Sequence, residues 1–109
     1  MRASEHIRRA VLAWGGVTEE PHRFGGVEFR LGKRELGHLH GDVLVDIPFP
    51  MNVRNELVTA RRVDPHHILP ESGWISFRIE KEKDVLEAVA LLRHSFDLAV
   101  EAKKKKEKN

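Results

Sequence analysis

The sequence predicts an α+β domain, an antiparallel sheet of four to five strands with helices mainly on one face, in the order α-β-β-β-β-α-β-α. Two observations carry this. Short segments of alternating apolar and polar residues follow one another closely between residues 17 and 47. Parallel crossovers need a dozen or more residues, so these segments pair as antiparallel hairpins. Helical periodicity opens and closes the chain.

Residues 4–14 read as the first helix, with Ile7, Val11 and Trp14 on one side, Ser4 as its cap and Gly15-Gly16 as its stop. Val17 to Phe24 is polar and contains Pro21, which suits an edge strand. After Gly25-Gly26, Val27, Phe29 and Leu31 point inward while Glu28 and Arg30 point outward. Gly32-Lys33-Arg34 connects to a histidine strand, Glu35 to Asp42, and Gly41-Asp42 turns into Val43 to Ile47. Pro48 and Pro50 end the sheet run, and Pro50 suits the first turn of a helix over residues 51–62 that carries Val53, Leu57 and Val58. Val63 to Gly73 is a loop held by Pro65 and Pro70, long enough to suggest a functional role. Trp74 to Ile79 alternates again. Asp84 is the expected cap of the last helix, whose stripe of Val85, Val89, Leu92, Phe96 and Ala99 belongs to the core.

Length allows one domain over residues 1–102, followed by a disordered lysine-rich tail, 103–109. The tail carries five lysines and one glutamate. Removing its net +4 from the formal +2 leaves about −2 for the body, a poor surface for nucleic acid. Absent cysteines exclude disulfides, thiolate metal sites and cysteine nucleophiles. No apolar run approaches the ~18 residues of a membrane span, and no signal-peptide core opens the chain, so the expected location is cytoplasmic, without a membrane partner.

One sheet face collects Val27, Phe29, Leu31, Val43, Val45, Ile47, Ile75, Phe77 and Ile79, to be covered by the first and last helices. The other collects Glu28, Arg30, His38, His40, Leu44, Asp46, Trp74, Ser76 and Arg78. That face has acids, arginines, histidines and a tryptophan but no lysine. The second helix and the long loop are expected to fold over it and form a cleft for a small molecule.

Seven histidines are many for 109 residues, and four form the pairs His38/His40 and His66/His67. On a strand, His38 and His40 share a face about 6.5–7 Å apart. Together with His66, and with Asp42 or Asp46, they are candidate ligands for Zn²⁺ or Fe²⁺. His66 and His67 are adjacent, so on an extended chain only one of them would reach the site. The cofactor-free alternative makes His38 or His40 a general base oriented by Asp46, with Arg30 or Arg78 holding an anionic oxygen. Serine nucleophilic catalysis is not expected, since Ser72 and Ser76 lack an elbow motif, and no glycine-rich phosphate loop is present, since Gly25-Gly26 precedes a strand and not a helix.

Four motifs together, Arg23-Phe24-Gly25-Gly26-Val27-Glu28-Phe29, Leu36-Gly37-His38-Leu39-His40-Gly41-Asp42, Asp46-Ile47-Pro48-Phe49-Pro50 and Pro65-His66-His67-Ile68-Leu69-Pro70-Glu71-Ser72-Gly73-Trp74, resemble the small luciferase-domain family over roughly residues 5–100. That family includes short bacterial proteins and, more distantly, the fungal luciferases, which add O₂ to a hydroxypyrone without a known flavin or nucleotide. The resemblance implies site roles for His38, His40, His66, His67 and Trp74. The first functional reading is an oxygenase acting on a planar enolisable or aromatic molecule. In it His38, His40 and Asp46 are catalytic, while Arg30, Arg78, Glu28, Trp74, His66 and His67 bind substrate. Its cofactor is either none or one divalent metal. The alternative is a non-catalytic binding module for a small molecule or protein, using the same face.

Overall fold

The computed structural model describes residues 1–22 and 25–107. The elements are α1 (Ala3–Leu12), β1 (Val17–Pro21), β2 (Val27–Leu31), β3 (Arg34–His40), β4 (Leu44–Pro48), α2 (Met51–Thr59), β5 (Asp64–Pro65), β6 (Trp74–Arg78) and α3 (Glu82–Glu107). All strands pair antiparallel in one sheet of order β1-β2-β3-β4-β6-β5. The α+β class and element order match the sequence reading. The sixth strand is β5, two residues of the expected loop that pair with β6 and hold the loop to the sheet edge. The Arg23-Phe24 end of the predicted edge strand lies outside the described residues.

Helices α1 and α3 cover the apolar face. Ile7 and Val11 from α1, and Ala88, Leu91 and Leu92 from α3, are buried with Phe29, Leu39, Val45, Ile47 and Ile75 of the sheet. This apolar burial, at ~25 cal/mol per Å², is the main stabilising term. Trp14 closes the rim, its ring 5.3 Å from that of Phe96, with the Arg93 guanidinium over both.

Several local expectations are corrected. Val43 is not in the core: it is 61% exposed, because the β3–β4 turn extends through it and β4 begins at Leu44. Ser4 does not cap α1. Its backbone N–H donates to Asp42 Oδ1 at 2.9 Å, and Arg2 reaches the same carboxylate at 3.0 Å. A carboxylate from a distant turn thus supplies the negative charge a helix start favours. Asp84, by contrast, caps α3 as expected, from inside its first turn, where it reaches back to accept from the N–H groups of Glu80 and Lys81. This is the return arm of a capping box. Helix α3 continues through Lys103–Lys106 to Glu107, where the sequence suggests a disordered tail; lysine is a good helix former and its charge suits a helix C-terminus.

One irregularity decides the site. Across β2 and β3, Arg30 faces Glu35 while Phe29 faces Gly37, so Leu36 is an extra residue in β3. This β-bulge sends Leu36 into the core at 0% exposure and puts Glu35 on the polar face beside His38. Gly37 permits it. Its φ is +152°, and a Cβ there would lie 2.8 Å from Leu92 Cδ2 and 2.9 Å from the Asp46 carbonyl oxygen. The carbonyl of Leu36 is satisfied by Ser95, whose Oγ donates at 2.9 Å.

Candidate functional site

The polar face forms a cleft of about 520 Å³, within the ~300–1,000 Å³ typical of small-ligand sites. Its floor is Asp46, whose side chain is fully buried on β4. Register puts His38 opposite Asp46 on β3 and Ser76 opposite it on β6. Ser76 Oγ donates to Asp46 Oδ1 at 2.7 Å and accepts the backbone N–H of His67 at 3.3 Å. The serine therefore docks the loop onto the floor.

Four imidazoles then converge on a single oxygen. Asp46 Oδ2 lies 2.8 Å from His40 Nε2, 3.0 Å from His67 Nε2, and 3.3 Å from both His38 Nε2 and His66 Nε2. The loop bends after Pro65, so both His66 and His67 face the cleft; the expectation that only one reaches it fails with the extended-chain assumption behind it.

The hydrogen bonds fix individual roles. His66 Nδ1 accepts from the N–H groups of Ile68 and Leu69 at 3.1 and 3.0 Å. Its proton therefore sits on Nε2 in the neutral ring, aimed at Asp46. That makes His66 a donor which positions the carboxylate, and a weaker ligand candidate than His67. His38 differs: its Nδ1 donates to Glu35 Oε2 at 2.6 Å and its Nε2 faces Asp46 Oδ2 at 3.3 Å, so Nε2 is the nitrogen that loss of its proton would free for a ligand role. A carboxylate behind a histidine is the usual outer support of a metal ligand.

Trp74 forms part of the wall, its ring 5.3 Å from that of His38. Glu28 and Arg30 also line the cleft, paired through Arg30 Nε. Two expected members are elsewhere. Arg78 lines a separate groove with Arg61, Asp64 and Lys81, because it lies at the far end of β6 from Trp74. Asp42 is committed to Arg2 and Ser4, whose hydrogen bonds push its carboxyl down to about 2. The cover is also not α2. Ile68 and Leu69 of the loop line the cleft, and α2 only braces that loop through Arg54, which donates to the Pro70 carbonyl.

Sequence reasoning missed Glu35 and His22. Strict alternation puts Glu35 on the face opposite His38, and only the mid-strand Gly37 hints at a bulge. His22 follows β1 in a stretch without periodicity, yet its ring stacks on His38 at 4.0 Å.

Electrostatics follow from this packing. Burial works to raise the Asp46 carboxyl, but hydrogen bonds from His38, Ser76, His67 and His40 outweigh it and hold the group well below the usual carboxylate range. Burial likewise works against protonated His38, and hydrogen bonds to Asp46 and Glu35 reverse this, raising it to about 9. His22 and His66 are lowered, chiefly by burial. In the metal-free protein, the stability contributed by His38 is complete below its unfolded pKa of 6.5 and is lost as pH rises through about 9. His22 and His66 act oppositely, withdrawing stability as pH falls through their unfolded pKa of 6.5. Urea unfolding of metal-free protein is expected to show stability falling across the interval from 6.5 to about 9, with a shallower fall in His38→Gln. A flat wild-type profile there would contradict the assigned charge on His38.

With this geometry in place, comparison adds family membership. The sequence model of the Luciferase domain family matches residues 33–95, over half of the chain. The chain belongs to the Luciferase domain family. No curated protein and no solved structure matches it. The part matching the Luciferase domain runs from the turn before β3 into α3 and includes Glu35, His38, His40, Asp46, His66, His67 and Trp74, whereas His22, Glu28 and Arg30 precede it. None of the described helices is long and apolar enough to cross a membrane.

The residues present fit a divalent metal. Three trios place their ligand atoms within 4.8 Å of one another: His22/Glu35/His38, His38/His40/Asp46 and Asp46/His66/His67. Each is two histidines and one carboxylate, a donor set suited to iron or zinc. A carboxylate oxygen has too few lone pairs to accept from four imidazoles at once. A cation beside Asp46 could take Nε2 lone pairs from His38, His40 and His67, leaving the His66 Nε2–H as the donor to the carboxylate.

Proposed function

We propose that this luciferase-domain protein is a metal-dependent enzyme of the oxygenase type, acting on a planar, enolisable or aromatic small molecule. The observation that carries the reading is the convergence of four Nε2 atoms on Asp46 Oδ2. His38, His40, His67 and Asp46 would hold the ion, His66 and Ser76 would orient Asp46, and Glu35 would orient His38. Iron(II) in a site of two or more histidines and one carboxylate supplies O₂ activation when open positions remain. The chain's own residues do the rest. Trp74 offers an aromatic wall to a flat ring, Arg30 attracts an ionised oxygen, and Ile68 and Leu69 add apolar lining to the cleft.

The test is elemental analysis with oxygen consumption. Protein purified without chelator and reconstituted anaerobically with Fe²⁺ is expected to retain metal through gel filtration and to consume O₂ when a hydroxypyrone is added. The His40→Ala/His67→Ala variant should lose both while remaining folded. Folded wild-type protein that retains neither iron nor zinc would refute the reading.

A further inference from the structure

We infer that the cleft holds two metal positions, with the His38 ring bridging them. This rests on the metal-dependent reading above and extends it to a second site made of His22, Glu35 and the Nδ1 atom of His38. The two ends of the His38 ring face different trios. Nε2 points to Asp46 and shares the floor with His40, whereas Nδ1 lies 2.6 Å from Glu35 Oε2. His22 completes the second trio: one ligand atom each from His22, Glu35 and His38 falls within a single 4.8 Å group, and a small turn of the His22 ring out of its stack on His38 would aim its nitrogen there.

The bulge supports a purpose beyond orienting one ring. Orienting His38 needs only one acceptor near Nδ1. The fold instead accepts a glycine-dependent irregularity in β3 to place Glu35 there, and the end of β1 brings a second imidazole to the same point. Two imidazoles and a carboxylate at one locus make up a metal-binding set in their own right. When both positions fill, His38 gives one nitrogen to each ion and both its ring protons leave to solvent. Glu35 changes from a hydrogen-bond acceptor to a ligand, and His22 gives one ring nitrogen.

The test uses metal alone. Metal-free protein titrated with Zn²⁺ against a chromophoric chelator is expected to take up about two equivalents. His22→Asn and Glu35→Gln should each take up about one. Loaded with Cu²⁺, the wild type should give an electron paramagnetic resonance spin count well below its copper content, since a bridging imidazolate couples the two spins. His22→Asn, with one copper, should give a full spin count. Uptake of one equivalent by the wild type would overturn the second position, reducing Glu35 to a support for His38, and would leave the metal-dependent reading standing. No uptake would overturn both. Two equivalents in both wild type and variants would place the second ion elsewhere and overturn the assignment, and an undiminished wild-type spin count would overturn the bridge.

Discussion

Asp46→Asn is expected to lower metal affinity by more than about a hundredfold and to destabilise the metal-free protein at neutral pH by roughly 3–5 kcal/mol. The first figure exceeds the ~10–100-fold loss typical of removing an outer-shell partner, because Asp46 is the floor on which every proposed ligand of the central site converges. The second is the usual cost of removing one member of a buried, charged network. Asparagine has nearly the same shape and can still accept from Ser76. The loss therefore comes from charge, not from a cavity. It leaves protonated His38 with Glu35 as its remaining partner, so His38 should titrate lower and the pH-dependent fall in stability should shrink. Urea unfolding at two pH values, beside metal titration, checks all three effects. Wild-type stability together with undiminished metal uptake would remove Asp46 from its central role.

Gly37→Ala is expected to cost on the order of 3 kcal/mol, from strained backbone and overpacking together. The added methyl would meet the fully buried Leu92 from the helix layer and the backbone of Asp46 from β4, and the backbone contact cannot be relieved by a side-chain turn. The effect should reach the site as well. Relief of the clash requires the bulge to shift, and a shift of one residue moves Glu35 off the polar face. Denaturation curves should show a lower midpoint, and metal uptake should fall even in the fraction that folds. A variant as stable as wild type would mean that the bulge is not held by Gly37.

These two positions also separate what was legible in the sequence from what was not. Alternation with period two in Val27-Phe29-Leu31 and Ile75-Phe77-Ile79 predicts the correct buried face, because side-chain direction on a regular strand is a local property. The same rule places His38 and His40 together, and puts Asp46 and Ser76 on their face. It breaks down at Leu36, where an inserted residue reverses the phase and moves Glu35 across the sheet. It cannot foresee Val43 either, whose exposure depends on where the β3–β4 turn ends. The joint arrival of His66 and His67 depends on how the loop docks, through the hydrogen bond from the His67 N–H to Ser76 and the Nδ1 contacts of His66. Those are tertiary events between residues far apart in the chain. Arg78 shares the predicted face with Trp74, but a strand is long enough for its two ends to serve different grooves.

The central claim is that the imidazoles around Asp46 form a metal centre. Anomalous diffraction from crystals grown with Zn²⁺ or Fe²⁺, collected on either side of the metal's absorption edge, tests it most directly. The account predicts a peak in the cleft at ordinary ligand distances, about 2.0–2.2 Å, from His38 Nε2, His40 Nε2, His67 Nε2 and an Asp46 oxygen. A well-ordered cleft with no anomalous peak, in protein exposed to excess metal, would contradict it and leave Asp46 as the buried anchor of a metal-free histidine network.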